Sequence, residues 1–171
     1  MKLKCRNVFI AITLVLLVSG STAGATANWI TDAVTGAKVG WVIGDNALSE
    51  VSWSGPVING KAEGKGTLLA IVRDKDGKVV SRWTGEVEMI AGLLDGKGLL
   101  RWGNGDSYDG QFKAGLQDGK GVYSWANGAM LAGEFKKGLP HGTGIQKDAS
   151  GKVIYEGEWK SHGINKAARE H

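Results

Sequence analysis

The sequence predicts an all-β fold, an elongated single-layer antiparallel sheet of stacked hairpins. Three observations predict it. Glycine makes up 28 of 171 residues, about twice the usual share, and its spacing is regular. Glycine pairs recur 23 residues apart, at Gly96-Lys97-Gly98, Gly119-Lys120-Gly121 and Gly142-Thr143-Gly144, and single glycines do so at Gly105, Gly128 and Gly151. Large rings stand two residues from such glycines, the period that puts side chains on one face of a strand.

The chain begins with a segment that does not belong to the sheet. Lys2, Lys4 and Arg6 precede an apolar run from Val8 to Val18, and small residues lead to Ala25-Thr26-Ala27. This order is that of a secretory signal peptide over 1–27, with cleavage expected after Ala27. The apolar run is shorter than the ~20 residues of a membrane span. The protein is therefore expected to be exported, periplasmic or secreted.

Removing the segment changes the charge balance. The whole chain carries 21 Lys+Arg and 17 Asp+Glu, a net of +4. Three bases and no acids lie in 1–27, which leaves 18 against 17, or about +1. Nucleic-acid binding needs a concentrated cationic field, so no nucleic-acid partner is expected. Membrane association after cleavage is disfavoured for the same reason. The single cysteine, Cys5, lies upstream of the apolar run. The expected mature chain thus has no disulfide and no thiol chemistry.

After a lead-in over 28–50, the repeat domain spans 51–163, and a tail follows over 164–171. One unit reads Tyr108-Asp109-Gly110-Gln111-Phe112, Gly115, Gly119-Lys120-Gly121, Asn127-Gly128. The next reads Leu131-Ala132-Gly133-Glu134-Phe135, Gly138, Gly142-Thr143-Gly144, Ser150-Gly151. Upstream units open at Trp53-Ser54-Gly55 and Trp83-Thr84-Gly85, and a fifth, shorter one at Tyr155-Glu156-Gly157-Glu158-Trp159. Tyr108, Gly110 and Phe112 face one way. Gly119, Gly121, Tyr123 and Trp125 fall at the same spacing, so bare glycines beside large rings leave a slot. A ring from an adjacent strand or unit is expected to fill it, because glycine in a strand is costly unless something approaches closely.

Asn104-Gly105 and Asn127-Gly128 read as two-residue type I′ turns, whose central residues both need positive φ. Asp76-Gly77 belongs to the same class, and Ser150-Gly151 is a weaker member. The hairpin from Thr67 to Trp83 is longer than the others. Leu68, Leu69, Ile71, Val72, Val79 and Val80 are too apolar to stand alone in water, so it is expected to pack over a neighbour.

The pattern Y-x-G-x-[FW]-x-x-G-x-x-x-G-x-G, carried by Tyr108 to Gly121 and Leu131 to Gly144, resembles the MORN repeat. The resemblance covers most of 51–163 and implies a sheet of stacked hairpins. Departures are Leu131 for the leading aromatic, Val57 and Val87 for the second, and two extra residues before Gly96. Residues 28–50 also resemble the lead-in of exported bacterial proteins of this kind. There a Thr-Gly-Cys-x-Val segment precedes Trp-Ser-Gly-x-Cys. Here Ala37 and Val57 replace both cysteines, so any staple the relatives have is absent.

The residues offer no catalytic, metal or cofactor constellation, and a non-enzymatic protein with no cofactor is expected. His141 and His162 each precede a glycine where the repeat turns, and no histidine pair has metal-ligand spacing. Gly64-Lys65-Gly66-Thr67 lacks the Lys-Ser/Thr of a phosphate loop and occupies the repeat's own Gly-x-Gly position. Asp74-Lys75-Asp76-Gly77 resembles a calcium-loop fragment but lacks its later ligands, so a hairpin turn is expected. Glu86, Glu134, Glu156 and Glu158 point away from the rings, on a solvated charged face.

A single-layer sheet cannot bury both faces. Trp102, Tyr123 and Trp125 are therefore the candidate binding face, able to stack on sugars or grip an extended peptide. Two functions follow. One is a scaffold that binds another envelope or secreted protein, or itself. The other is a binder of peptidoglycan, another glycan or, less favoured, lipid headgroups.

Overall fold

The computed structural model describes residues 28–41, 48–74 and 76–159. The expected signal peptide, His162 and the tail over 164–171 lie outside the described residues. Four short strands come first: β1 (Asn28–Thr31), β2 (Lys38–Trp41), β3 (Leu48–Trp53) and β4 (Val57–Ile58). They are followed by β5 (Lys61–Ala62), β6 (Gly64–Arg73), β7 (Val79–Ile90), β8 (Leu93–Trp102) and β9 (Ser107–Lys113). The last are β10 (Leu116–Ser124), β11 (Met130–Lys136), β12 (Leu139–Lys147) and β13 (Val153–Trp159). Nine of them form one antiparallel sheet in the order β13-β12-β11-β10-β9-β8-β7-β6-β3. From β7 onward every neighbour in space is a neighbour in sequence. The all-β hairpin stack read from the glycine period is the fold.

Register explains the period. Gly98 pairs with Gly110, Gly110 with Gly121, Gly121 with Gly133, Gly133 with Gly144, and Gly144 with Gly157. A continuous row of glycines therefore crosses the sheet from β8 to β13. Rings and aliphatic side chains flank the row on the same face. Leu100 pairs with Tyr108, Tyr108 with Tyr123, and Tyr123 with Leu131, and all four are buried. A one-residue slip would turn every ring toward water, so the glycine row and the core fix the register together.

The turns differ from the sequence reading. At Asn104-Gly105 and Asn127-Gly128 only the glycines have positive φ, +93° and +88°. Gly105 N–H donates to the Trp102 carbonyl and Trp102 N–H to that of Asp106, so the loop has three residues, a type I turn closed by a glycine bulge. The asparagines serve another purpose. Asn104 Oδ1 accepts from Asp106 N–H and Asn127 Oδ1 from Ala129 N–H, each at 3.0 Å. Asp76-Gly77 and Ser150-Gly151 turn the same way, with Asp74 and Asp148 accepting the loop N–H groups. Asp74 is thus a turn residue, as the hairpin reading expects. The turns with two consecutive positive φ values lie at the opposite edge: Asn59-Gly60, Ala91-Gly92, Ala114-Gly115 and Lys137-Gly138. The sequence hides them because three of the four begin with Ala or Lys, which rarely adopt that conformation.

The first unit is broken by design of its own backbone. β3 stops at Trp53 and β4 starts at Val57, while β5 ends at Ala62 and β6 starts at Gly64. The detached tip, β4–β5, joins a small second sheet in the order β1-β2-β5-β4. This sheet is an addition to the single layer. Ala37, Val39 and Ala62 pack into the same core as Trp53, Met89 and Leu94. Gly40 N–H donates to the Gly92 carbonyl (2.7 Å) and Gly92 N–H to that of Ala62 (2.9 Å). Asp32, 2% exposed, accepts Trp53 N–H at 2.7 Å and the Val34 and Thr35 N–H groups. Burial pushes its carboxyl up, but those bonds outweigh burial and hold it below its ordinary range. Ala37 is fully buried and Val57 is 38% exposed.

The long hairpin packs through one face. Ala70 and Val72 are buried with Ile30, Val51 and Trp83, and Leu68 to Val72 pair with β3. Leu69 and Val80 remain exposed.

Candidate functional site

Each ring-and-glycine slot is built from one strand and the next. Tyr108 lies along β9 over Gly110 and across β10 over Gly121. A Cβ at Gly110 would sit 2.7 Å from Tyr108 Cζ, and one at Gly121 would meet the Tyr108 hydroxyl and ring directly. The hydroxyl donates to the Gln111 carbonyl at 3.1 Å. Phe112 and Phe135 contact the ring edge-on at 5.1 and 5.0 Å, and Tyr108 is 0% exposed. Burial pushes its phenol far above the ordinary value, with the Asp118 and Asp109 carboxylates adding to the effect. Trp53 repeats the device over Gly55 and Gly66, with its indole N–H on the Pro56 carbonyl at 2.9 Å.

The first glycine of each Gly-x-Gly answers a different need. Gly64, Gly96, Gly119 and Gly142 all have positive φ, from +63° to +113°, and for the last three the ladder register shifts beside them. The bulge frees a backbone N–H, which a side chain across the ladder takes up. Glu88 Oε2 accepts from Lys97 N–H at 2.9 Å, and Gln111 Oε1 from Lys120 N–H at 2.8 Å. Lys65 adds an ion pair to Glu88 at 3.3 Å. The Lys97 N–H and Lys65 together hold the Glu88 carboxyl below its ordinary value.

The joints between units are polar and regular. Gly92, Gly115 and Gly138 N–H donate to the carbonyls of Ala62, Leu94 and Gln117 in the preceding unit. The N–H one residue earlier, at Ala91, Ala114 and Lys137, donates to Glu63, Asp95 and Asp118. These carboxylates stand immediately before each Gly-x-Gly. Sequence reasoning missed them, although Asp95 and Asp118 share the 23-residue spacing. His141 follows in the same repeat position and lies opposite Glu134 in the ladder.

The structure brings Trp102, Tyr123 and Trp125 together but does not leave them open, which corrects the expected binding face. Tyr123 is 6% and Trp125 9% exposed, and Trp102 is half-buried. Tyr123 stacks on Trp102 at 5.6 Å and tilts against Trp125 at 5.0 Å. The rings bury one another along the edge where the three-residue turns stack. Asp106, 4% exposed, organises that edge. Its carboxylate accepts the Tyr123 hydroxyl (2.8 Å), Ala126 N–H (2.8 Å) and Asn104 Nδ2 (2.9 Å). Burial and then Asp106 itself push the Tyr123 phenol far above its ordinary value. A buried carboxylate in this position staples one turn to the next.

The remaining repeat residues fall where the period puts them. Gly133 and Gly144 face one another, Phe135 is buried beside Tyr108, and Gly142 lies under Glu134. Tyr155 meets Trp159 edge-on at 4.4 Å and approaches Gly157. Trp125 Nε1 and Trp159 Nε1 are buried with no hydrogen-bond partner among the described residues. Among the described side chains, Trp29 is the ring left most open. It is 43% exposed, with Lys61 Nζ 4.8 Å from its centroid.

The MORN repeat family model matches residues 57–69, 88–107, 108–130 and 132–153. The chain belongs to the MORN-repeat family. The matches coincide with the hairpins β4–β6, β7–β8, β9–β10 and β11–β12, and the unmatched stretch between the first two is the long arm of β6 and β7. In MORN terms, the leading aromatic is the ring that covers two glycines, and the two glycines of Gly-x-Gly serve a bulge and a slot. Repeats of this family support binding and scaffold roles. No curated protein matches the chain.

Proposed function

We propose that the chain is an exported, non-catalytic MORN-repeat scaffold that binds another protein, or itself, in the periplasm or cell envelope. The observation that carries this reading is where the repeated chemistry goes. The rings fill glycine slots, and the recurrent carboxylates and Gln111 bond backbone N–H groups of bulges and turns. What is left for recognition is the charged opposite face and the sheet edges, which suit a protein partner better than a small substrate.

The test has two arms. Residues 1–27 fused to a reporter that is active only after export should yield activity, and a silent fusion overturns the location. Purified protein should either self-associate in light scattering or recover a reproducible partner by cross-linking in envelope extracts. A strictly monomeric protein that recovers none, but pellets with peptidoglycan, would replace the scaffold reading with glycan binding.

A further inference from the structure

We propose that β13 is a docking edge that accepts an extended Gly-Lys-Gly strand from a partner protein. The proposal deepens the scaffold reading and rests on it. Two units show what a second strand does for a leading ring. Trp53 has β6 beside it and is 1% exposed, and Tyr108 has β10 beside it and is 0% exposed. Tyr155 holds the same pose, its hydroxyl donating to the carbonyl three residues on, Glu158, at 3.0 Å. Yet Tyr155 is only half-buried. Among the described residues β13 pairs with β12 alone, so the strand that would cover this ring is not among the described ones.

The interior units state what that strand must be. The residue opposite Gly157 must be glycine, because the equivalent ring at Tyr108 leaves no room for a Cβ at Gly121. Glu158 stands where Gln111 stands and would accept the N–H between the two glycines, as Gln111 does from Lys120. Glu156 and Glu158 are both exposed and present an acidic edge. A cation at the middle position complements it, as Lys65, Lys97 and Lys120 do at that position in three of the four units. The charge also disfavours pairing β13 with a second β13, since like charges would face one another.

The described strands of this chain do not supply that strand. β6, β8, β10 and β12 carry its Gly-x-Gly motifs, and each already has a neighbour on both sides. Residues 160–171 contain one glycine and no Gly-x-Gly. Strand addition to an exposed sheet edge is an established mode of peptide recognition, with backbone bonds giving affinity and side-chain sites giving specificity.

The probe is a labelled peptide with the sequence of residues 116–125, titrated into the full chain by fluorescence anisotropy, with hydrogen exchange read over 153–159. Saturable binding with slowed exchange in β13 is expected. Replacing the peptide's second glycine, the counterpart of Gly121, by valine should weaken binding about tenfold or more, as should E158K in the protein. Absence of saturation at millimolar peptide would overturn the proposal, and so would equal binding of the valine peptide. Binding that emerges only after deletion of 160–171 would overturn it too, by making the tail the occupant. A chain that captures partners from extract while ignoring the peptide keeps the scaffold reading and loses this one.

Discussion

Replacing Asp106 by alanine should destabilise the protein more than any other single change at the turn edge. The carboxylate accepts three hydrogen bonds, from the Tyr123 hydroxyl, Ala126 N–H and Asn104 Nδ2. Asn104 is exposed and can turn to water. The Tyr123 hydroxyl lies in a buried contact and would lose its acceptor. Ala126 N–H would lose its acceptor as well. Leaving a buried donor without a partner costs about 1–3 kcal/mol, and the part-buried Ala126 N–H costs less, so the two losses together give roughly 2–4 kcal/mol. For a domain of this size each kcal/mol lowers Tm by about 2–4 °C, so thermal unfolding should begin roughly 10 °C earlier. Y123F should cost only about 1 kcal/mol, and in its background Asp106→Ala should cost less than in the wild type. The next unit already contains the matched pair, with Ala129 and Gln146 where Asp106 and Tyr123 stand 23 residues earlier. A Tm for Asp106→Ala within a degree or two of wild type would refute the staple.

Trp159→Phe should be nearly neutral or stabilising in urea denaturation. It removes a buried indole N–H with no partner among the described residues, and Phe112 and Phe135 fill the same repeat position; a loss above ~2 kcal/mol would mean the indole is bonded or tightly packed. Alkali should unfold the protein through its buried phenols. Tyr108 and Tyr123 titrate above the ordinary 10.0 in the folded chain, so their contribution is complete below that pH and is lost as pH rises beyond it. Tm should fall from about pH 10 upward, less steeply in Y123F, and a flat profile to pH 11.5 would contradict the burial of both groups.

The fold was legible because its signal is periodic. Glycines at a fixed spacing and rings two residues away could be satisfied by little other than stacked hairpins, and the Gly110–Gly121 and Gly133–Gly144 pairings follow from that register. The turns were misread because Asn-Gly carries two meanings. Its asparagine can adopt positive φ, or it can bond the N–H two residues on, and Asn104 does the latter. The small sheet was invisible because four residues of each strand or fewer, Asn28–Thr31 and Lys38–Trp41 among them, are too short for a pattern. The expected binding face failed for a physical reason. Trp102, Tyr123 and Trp125 recur on one edge, and rings on stacked turns cover each other before they meet a ligand. Asp106 could have warned of this, since a carboxylate at the start of an aromatic strand needs a buried donor.

The central claim is that Gly110 and Gly121 house the Tyr108 ring, and the Gly121–Tyr108 pair tests it most directly. A double-mutant cycle of G121A and Y108A, read by chemical denaturation, separates the slot from the general cost of each change. A Cβ at Gly121 would lie 2.6 Å from Tyr108 Cε2, with Cζ and the hydroxyl oxygen nearer still. G121A alone must therefore evict the ring or strain the strand, at roughly 2–4 kcal/mol. Once Tyr108 is alanine, the same methyl enters an empty slot. The account predicts that G121A then costs under ~1 kcal/mol, leaving a coupling of about 2 kcal/mol or more. Equal cost of G121A in both backgrounds, or no cost in the wild type, would contradict it.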